Sequence, residues 1–200
     1  MKTFVYIDGL NLFYGCLKKS AYKWLDLRAL SESLIPGHEI DEIKYFTAIV
    51  GGGKSKNQII YHRALKTTPK LKIILGYFRK RQTKYKMLTT PYREVLVEKH
   101  EEKCTDVNIA AHLIYDAAHH CFEQALVITN DADLRGPIEM VSKKMGFPVW
   151  VFNPRLNFPH MVKGEGIFNR WIRAKNLEIA QFPDELTDKS GRKLFRPSGW

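Results

Sequence analysis

Short unbroken apolar runs alternate with stretches whose apolar residues recur at helical spacing, and this rhythm holds from residue 3 to about residue 153. The runs cover 4–7, 43–50, 73–78, 125–129 and 149–152. A run that is apolar throughout, rather than at alternate positions, predicts a strand covered on both faces, as in a parallel sheet. Helices are predicted over 12–18, 27–34, 55 to about 66, 106–120 and 134–145. Asn11, Asp26, Ser55 and Thr105 stand where N-caps belong, and Gly146 follows the last helix. The helix over 106–120 is the clearest, with Ile109, Leu113 and Ala117 along one face. Residues 95–97 predict a short antiparallel partner strand. This alternation predicts an α/β fold, a doubly wound, Rossmann-like α/β/α sandwich around a mainly parallel sheet of roughly five strands.

Beyond Pro154 the pattern thins. Residues 168–175 predict a short helix and 177–180 a short strand. Residues 183–200 are polar, with Pro, Gly and mixed charge, and predict a tail that lies on the surface or is disordered. The expected organisation is one domain over 1–182, its core at about 3–153, followed by the tail 183–200.

Composition narrows the partners. Two hundred residues suit a single domain, and 44% hydrophobic with 26% charged residues excludes global disorder. Lys and Arg number 32 against 21 Asp and Glu, a net charge of +11 that favours a polyanion. Cys16, Cys104 and Cys121 form no CxxC pair, which fits a reducing compartment and not a disulfide scaffold or zinc ribbon. No stretch approaches the roughly 20 apolar residues of a membrane span, and the N-terminus enters a strand without signal-peptide architecture. A cytoplasmic protein without membrane contact is expected; its oligomeric state is left open. Gly51-Gly52-Gly53-Lys54-Ser55 lacks phosphate-loop spacing, because no Gly stands where the motif's first Gly belongs. The seven histidines show no metal-ligand spacing.

Acidic residues sit where these elements end. Asp8 and Asn11 follow the first strand in Tyr6-Ile7-Asp8-Gly9-Leu10-Asn11. Asp106 opens the clearest helix after Lys103-Cys104-Thr105, and Asp131 and Asp133 follow the fourth long run in Thr129-Asn130-Asp131-Ala132-Asp133. Asp and Asn also favour turns and caps on their own account, so each segment alone is weak. Together they matter, because parallel sheets bind ligands just beyond the carboxyl ends of their strands. Carboxylates gathered there repel one another and call for a proton or a hard cation, Mg²⁺ or Mn²⁺. Asn11 braces Asp8 or positions a ligand, and Thr129, with Asn130 beside it, adds a hydroxyl to the rim. Lys103 and Arg135 are candidate phosphate contacts. Arg79-Lys80-Arg81-Gln82-Thr83-Lys84-Tyr85-Lys86 interleaves cations with aromatic rings, the combination used on single-stranded nucleic acid.

Asp-Gly-x-Asn after the first strand, Lys-x-x-Asp opening a central helix and Thr-Asn-Asp-Ala-Asp after a later strand resemble the NYN domain of the PIN-like nuclease superfamily, the LabA-like group, over roughly residues 3–153. The resemblance implies a Rossmann-like α/β/α fold and a Mg²⁺-dependent ribonuclease site at Asp8, Asn11, Asp106, Asp131 and Asp133. This chain has Cys104 where the family often has Gly, and Thr129-Asn130 where Ser-Gly is common; neither change removes a carboxylate. The expected activity is metal-dependent endonucleolytic cleavage of single-stranded RNA, with Asp8, Asp106 and Asp131 holding the metal and Asp133 as ligand or support. Two alternatives stay open. One is a nucleic-acid-binding or regulatory module that cleaves nothing, since some relatives are described as regulatory. The other is an Asp-x-Asp phosphohydrolase with Asp131 as nucleophile.

Overall fold

The structure is a computed structural model that describes residues 1–49, 55–91, 93–156, 159 and 163–200. The glycine loop Gly51-Gly52-Gly53-Lys54 and the end of the run over 43–50, Val50, lie outside the described residues. Strand β1 (Lys2–Asp8) leads into the short helix α1 (Gly9–Leu12), which widens into a π-helical turn over Phe13–Leu17. Then come α2 (Leu27–Leu34), β2 (Glu39–Thr47), α3 (Ser55–Leu65), β3 (Leu71–Leu75), β4 (Tyr77–Lys86), β5 (Glu94–Lys103) and α4 (Thr105–Ala118). The chain continues through β6 (Gln124–Ile128), a 3₁₀ turn (Ala132–Leu134), α5 (Arg135–Glu139) with a π-helical extension (Met140–Lys144), β7 (Val149–Asn153), β8 (Ile167–Trp171), α6 (Ala174–Ile179), β9 (Glu185–Thr187) and β10 (Lys193–Phe195).

Six parallel strands form the central sheet in the order β3-β2-β1-β6-β7-β8. The chain fills one side of β1 first and then returns to fill the other, so the order reverses between β1 and β6. That reversal opens a crevice at the carboxyl ends of those two strands. Both faces of the sheet are covered. In β1, Phe4 and Tyr6 enter the layer with Ile109 and Leu113 of α4 and Ile138 of α5. Val5 and Ile7 enter the opposite layer, with Leu30 of α2, Leu65 of α3 and Leu177 of α6. Period-two alternation with both faces apolar is why this strand reads as an unbroken hydrophobic run.

The structure corrects the sequence reading of several elements. The run over 73–78 is not one strand. It breaks at Gly76, where a Cβ would stand 2.5 Å from the Lys103 carbonyl oxygen and 2.9 Å from Thr105 Oγ1. After the break, β4 leaves the central sheet and pairs with β5 over ten residues each, far beyond the short partner expected at 95–97. The sheet also gains a sixth strand, β8, from residues expected to be helical. Ile167, Phe168 and Trp171 suit an edge strand, and Ile167 alone among its five residues is buried, so neither period stands out. The strand expected at 177–180 belongs instead to α6, whose Ala, Lys, Leu and Glu are good helix formers but whose six residues are too few for a clear period.

Residues 183–200, expected as a surface tail, lie against the body as the β9–β10 hairpin. Leu194 joins the core layer beneath α3, the Trp24 indole donates to the Pro183 carbonyl (2.8 Å), and the Trp200 ring packs 5.5 Å from Tyr61. No helix among the described residues is long and apolar enough to cross a membrane.

Candidate metal centre

Asp8 ends β1 at the switch point and is 4% exposed. Its Oδ1 accepts the Asn11 N–H (2.9 Å), so Asp8 is the N-cap of α1, the role expected of Asn11. The difference is one of register: the helix begins at Gly9, directly after the strand, and the capping oxygen belongs to the last strand residue. Gly9 permits this tight exit, because a Cβ there would lie 2.7 Å from both the Phe46 carbonyl oxygen and the Tyr45 ring. The Asn11 side chain is then free for a second task. Its Oδ1 accepts the Asn130 N–H (3.0 Å), and the Asn153 amide donates to Asn130 Oδ1 (2.7 Å). The segments following β1, β6 and β7 are thereby tied together. Asn153 was not flagged by sequence, although a polar residue closing the buried run at 149–152 is the same signal that marked Asp8.

Thr129 joins two of the acidic segments. Its buried hydroxyl donates to Asp8 Oδ2 (3.2 Å) and accepts the Asp131 N–H (3.0 Å). Asp131 Oδ1 in turn accepts the Asp133 N–H (2.9 Å) and caps the 3₁₀ turn. Asp106 reaches the same place from the first turn of α4. Thr105 does not cap that helix; it is the first helical residue. Cys104 holds the cap position at φ 77°, in the left-handed region, without a capping side-chain bond. The turn brings Glu102 back over the helix start, where its carboxylate accepts from both the N–H and the hydroxyl of Thr105.

Asp8, Asp106 and Asp131 each offer one carboxylate oxygen, and the three lie within 4.8 Å of one another. Among the described residues, no Lys or Arg pairs with any of them. Burial, with added repulsion from Asp106 and Asp131, pushes Asp8 up to about 7 against the opposing bonds from Asn11 and Thr129. Burial, then Asp131, Glu102 and Asp133, pushes Asp106 up to about 6. Crowded carboxylates with hard oxygen donors and no organic counter-cation fit a divalent ion of the Mg²⁺ or Mn²⁺ kind. The remaining acid, Asp133, is exposed on the 3₁₀ turn and is not a member of the three-carboxylate group, though its charge reaches Asp106.

The expected cations stand outside this cluster. Lys103 pairs with Glu101 (3.1 Å) at the foot of β5, and Arg135 pairs with Glu139 (3.2 Å) one turn along α5. Arg79, Lys80, Arg81, Lys84, Tyr85 and Lys86 all lie on β4, in the two-stranded ribbon.

These carboxylates make ion binding pH-dependent. Asp8 must release its proton to hold a cation, so Mn²⁺ affinity is expected to weaken about tenfold per pH unit below pH 7, and more steeply below 6 as Asp106 also protonates. The same linkage acts on the ion-free fold. An unfolded chain's Asp releases its proton near 3.8, the folded Asp8 at about 7, so this group's stabilisation is complete below 3.8 and is lost as pH climbs to 7. Calorimetric Mn²⁺ titrations at several pH values check the first part, and thermal melts in chelator the second. A pH-independent affinity would refute the linkage.

A family model described as NYN domain matches residues 2–163. Among curated proteins, the chain is similar to 6-hydroxy-3-succinoylpyridine 3-monooxygenase of Pseudomonas putida (strain DSM 28022 / S16), with 29% identity over 100% of this chain and 75% of that protein. Among solved structures, it is similar to a protein of unknown function from Vibrio parahaemolyticus RIMD 2210633, with a TM-score of 0.59 and 17% identity over 86% of this chain and 93% of that one. The latter likeness is one of fold.

Proposed function

The chain belongs to the NYN domain family of the PIN-like nuclease superfamily, and from that premise we propose that it is a metal-dependent endoribonuclease acting on single-stranded RNA. The observation that carries this reading is the meeting of Asp8, Asp106 and Asp131 at the sheet's switch point. These three would hold Mg²⁺ or Mn²⁺, with Asp133 supporting from the rim. Such an ion, when bound, supplies a water of lowered pKa and neutralises charge on the scissile phosphate. Asn11, Thr129 and Asn130 hold the segments that carry Asp8 and Asp131 in place. Lys103, Arg135 and the arginines of β4 supply phosphate contacts, in keeping with the net charge of +11. The test is incubation with end-labelled single-stranded RNA. Fragments are expected with Mg²⁺ or Mn²⁺ and none with chelator. RNA binding without fragments under any divalent metal would favour the regulatory module instead.

A second reading is favoured by the Pseudomonas putida relative, whose name describes a monooxygenase acting on a hydroxypyridine. On that reading, the crevice beyond β1 and β6 would take the hydroxypyridine. Oxygen uptake on addition of 6-hydroxy-3-succinoylpyridine and a reduced nicotinamide, with no RNA fragments, would decide for it.

A further inference from the structure

The ribbon formed by β4 and β5 is about 30 Å long at the usual rise per residue and is paired with no strand of the central sheet. Its two faces differ. Residues directly opposite each other across an antiparallel pair share a face, as do alternate residues along each strand. The register sets Tyr77 opposite Lys103, Arg79 opposite Glu101, Arg81 opposite Lys99 and Tyr85 opposite Val95. This face therefore carries Arg79, Arg81, Lys99 and Lys103 against a single acid, Glu101, with an exposed tyrosine near each end. Lys99 and Lys103 flank Glu101 at 3.0 and 3.1 Å, while Arg79 and Arg81 make no ion pair among the described residues. The opposite face carries Lys80, Lys84 and Lys86 against Glu94, Glu98 and Glu102, an even balance. Lys80 pairs there with Glu98 (3.4 Å) and Lys84 with Glu94 (3.6 Å). The pleat thus sets Lys80 and Lys84, each paired with a glutamate, on one face of β4, and Arg79 and Arg81, without an ion pair among the described residues, on the other.

We propose that the face bearing Arg79, Arg81 and Lys99 with Tyr77 and Tyr85 binds single-stranded RNA and that the face bearing Lys80, Lys84 and Lys86 does not. The inference rests on the nuclease reading for its ligand. Unpaired guanidinium groups match phosphate geometry, and the tyrosines on the same face offer rings on which bases stack. The ribbon is also anchored at the catalytic end. Lys103 closes β5 three positions before Asp106, and Gly76 lets the foot of β4 press against the turn that starts α4. Strand bound along this face would be held beside the three carboxylates.

Two triple variants remove the same charge and so separate placement from bulk electrostatics: Arg79→Gln with Arg81→Gln and Lys99→Gln, and Lys80→Gln with Lys84→Gln and Lys86→Gln. Binding of a fluorescent single-stranded RNA is read by anisotropy in chelator across a salt series, and cleavage of a short oligonucleotide with Mg²⁺ is scored alongside. The first variant is expected to bind more than about tenfold more weakly, with a log–log salt slope shallower by about 2, as loss of three phosphate contacts requires. The second is expected to stay within about twofold of the parent with an unchanged slope. Equal weakening in both, or greater weakening in the second, overturns the inference while leaving the nuclease reading intact if the parent still cleaves. A parent that neither binds nor cleaves overturns both. Competition by poly-glutamate as effective as that by RNA overturns the choice of ligand.

Discussion

Replacing Asp8 by Asn is expected to lower Mg²⁺-dependent RNA cleavage by more than about 100-fold, since even residues that merely support a metal ligand cost 10–100-fold. The fold should survive, for reasons particular to this position. Asn caps helices as well as Asp does, so its Oδ1 can still accept the Asn11 N–H. Its amide would face the Thr129 hydroxyl, which can turn to accept a second hydrogen bond beside the one from Asp131. The substitution also removes a buried carboxylate that burial and two neighbouring acids already disfavour. In chelator at pH 8 the variant should therefore melt at or above the parent temperature, while Mn²⁺ should no longer raise that temperature. Activity within a few-fold of the parent, at an unchanged metal requirement, would sink the assignment of Asp8 as a ligand. A melting temperature well below the parent would instead mean that the carboxylate holds the fold through a partner other than Asn11 and Thr129.

The acids that meet at the crevice were legible because each breaks an apolar run or opens a helix. Asp8 closes a strand buried on both faces and Asp131 follows soon after another, so both stood out from sequence. The bonds between them did not. Whether Asp8 or Asn11 caps α1 depends on where the chain leaves the strand, and Asp-x-x-Asn satisfies either register. Capping of α4 by Glu102 depends on the left-handed turn at Cys104, which only a fold fixes. The ribbon was hidden for a related reason. Its strands face solvent on both sides, so hydrophobic periodicity says little about them. Its boundary is set by Gly76 meeting the Lys103 carbonyl, a contact between residues far apart in the chain. The division of its cations into two faces follows from the pairing register, which could be assigned only once both strands were in place.

The same dependence of the site on distant contacts gives the largest stability effect expected here, at Asp116. This residue lies on α4, 5% exposed, and forms an ion pair with Lys44 of β2, also 5% exposed, while accepting the Tyr6 hydroxyl of β1 at 2.6 Å. Lys44 also reaches Glu42 at 3.4 Å, and its ammonium stands 5.5 Å from the Phe4 ring. Burial and the Asp116 carboxylate hold the Tyr6 phenol far above its ordinary range, so it remains a hydrogen-bond donor at any working pH. Asp116→Ala leaves an ammonium and a hydroxyl in this apolar layer with one acid for compensation, and should cost about 3–5 kcal/mol, the usual consequence of removing one partner of a buried pair. Replacing both charges, Lys44→Met with Asp116→Leu, removes the uncompensated charge and should restore much of that loss, leaving the Tyr6 hydroxyl as the main deficit. Denaturant midpoints measure both. If the single variant lost less than about 1 kcal/mol, the pair would have to be solvated in a way its burial does not allow. The pair also matters to the crevice, because Tyr6 precedes Asp8 on β1 by two residues and Asp116 shares α4 with Asp106. Loosening β1 from α4 separates the elements that deliver two of the three carboxylates. Mn²⁺ affinity of Asp116→Ala should therefore fall even at temperatures where the variant is fully folded, whereas an unchanged affinity would mean that contacts other than this pair hold the crevice together.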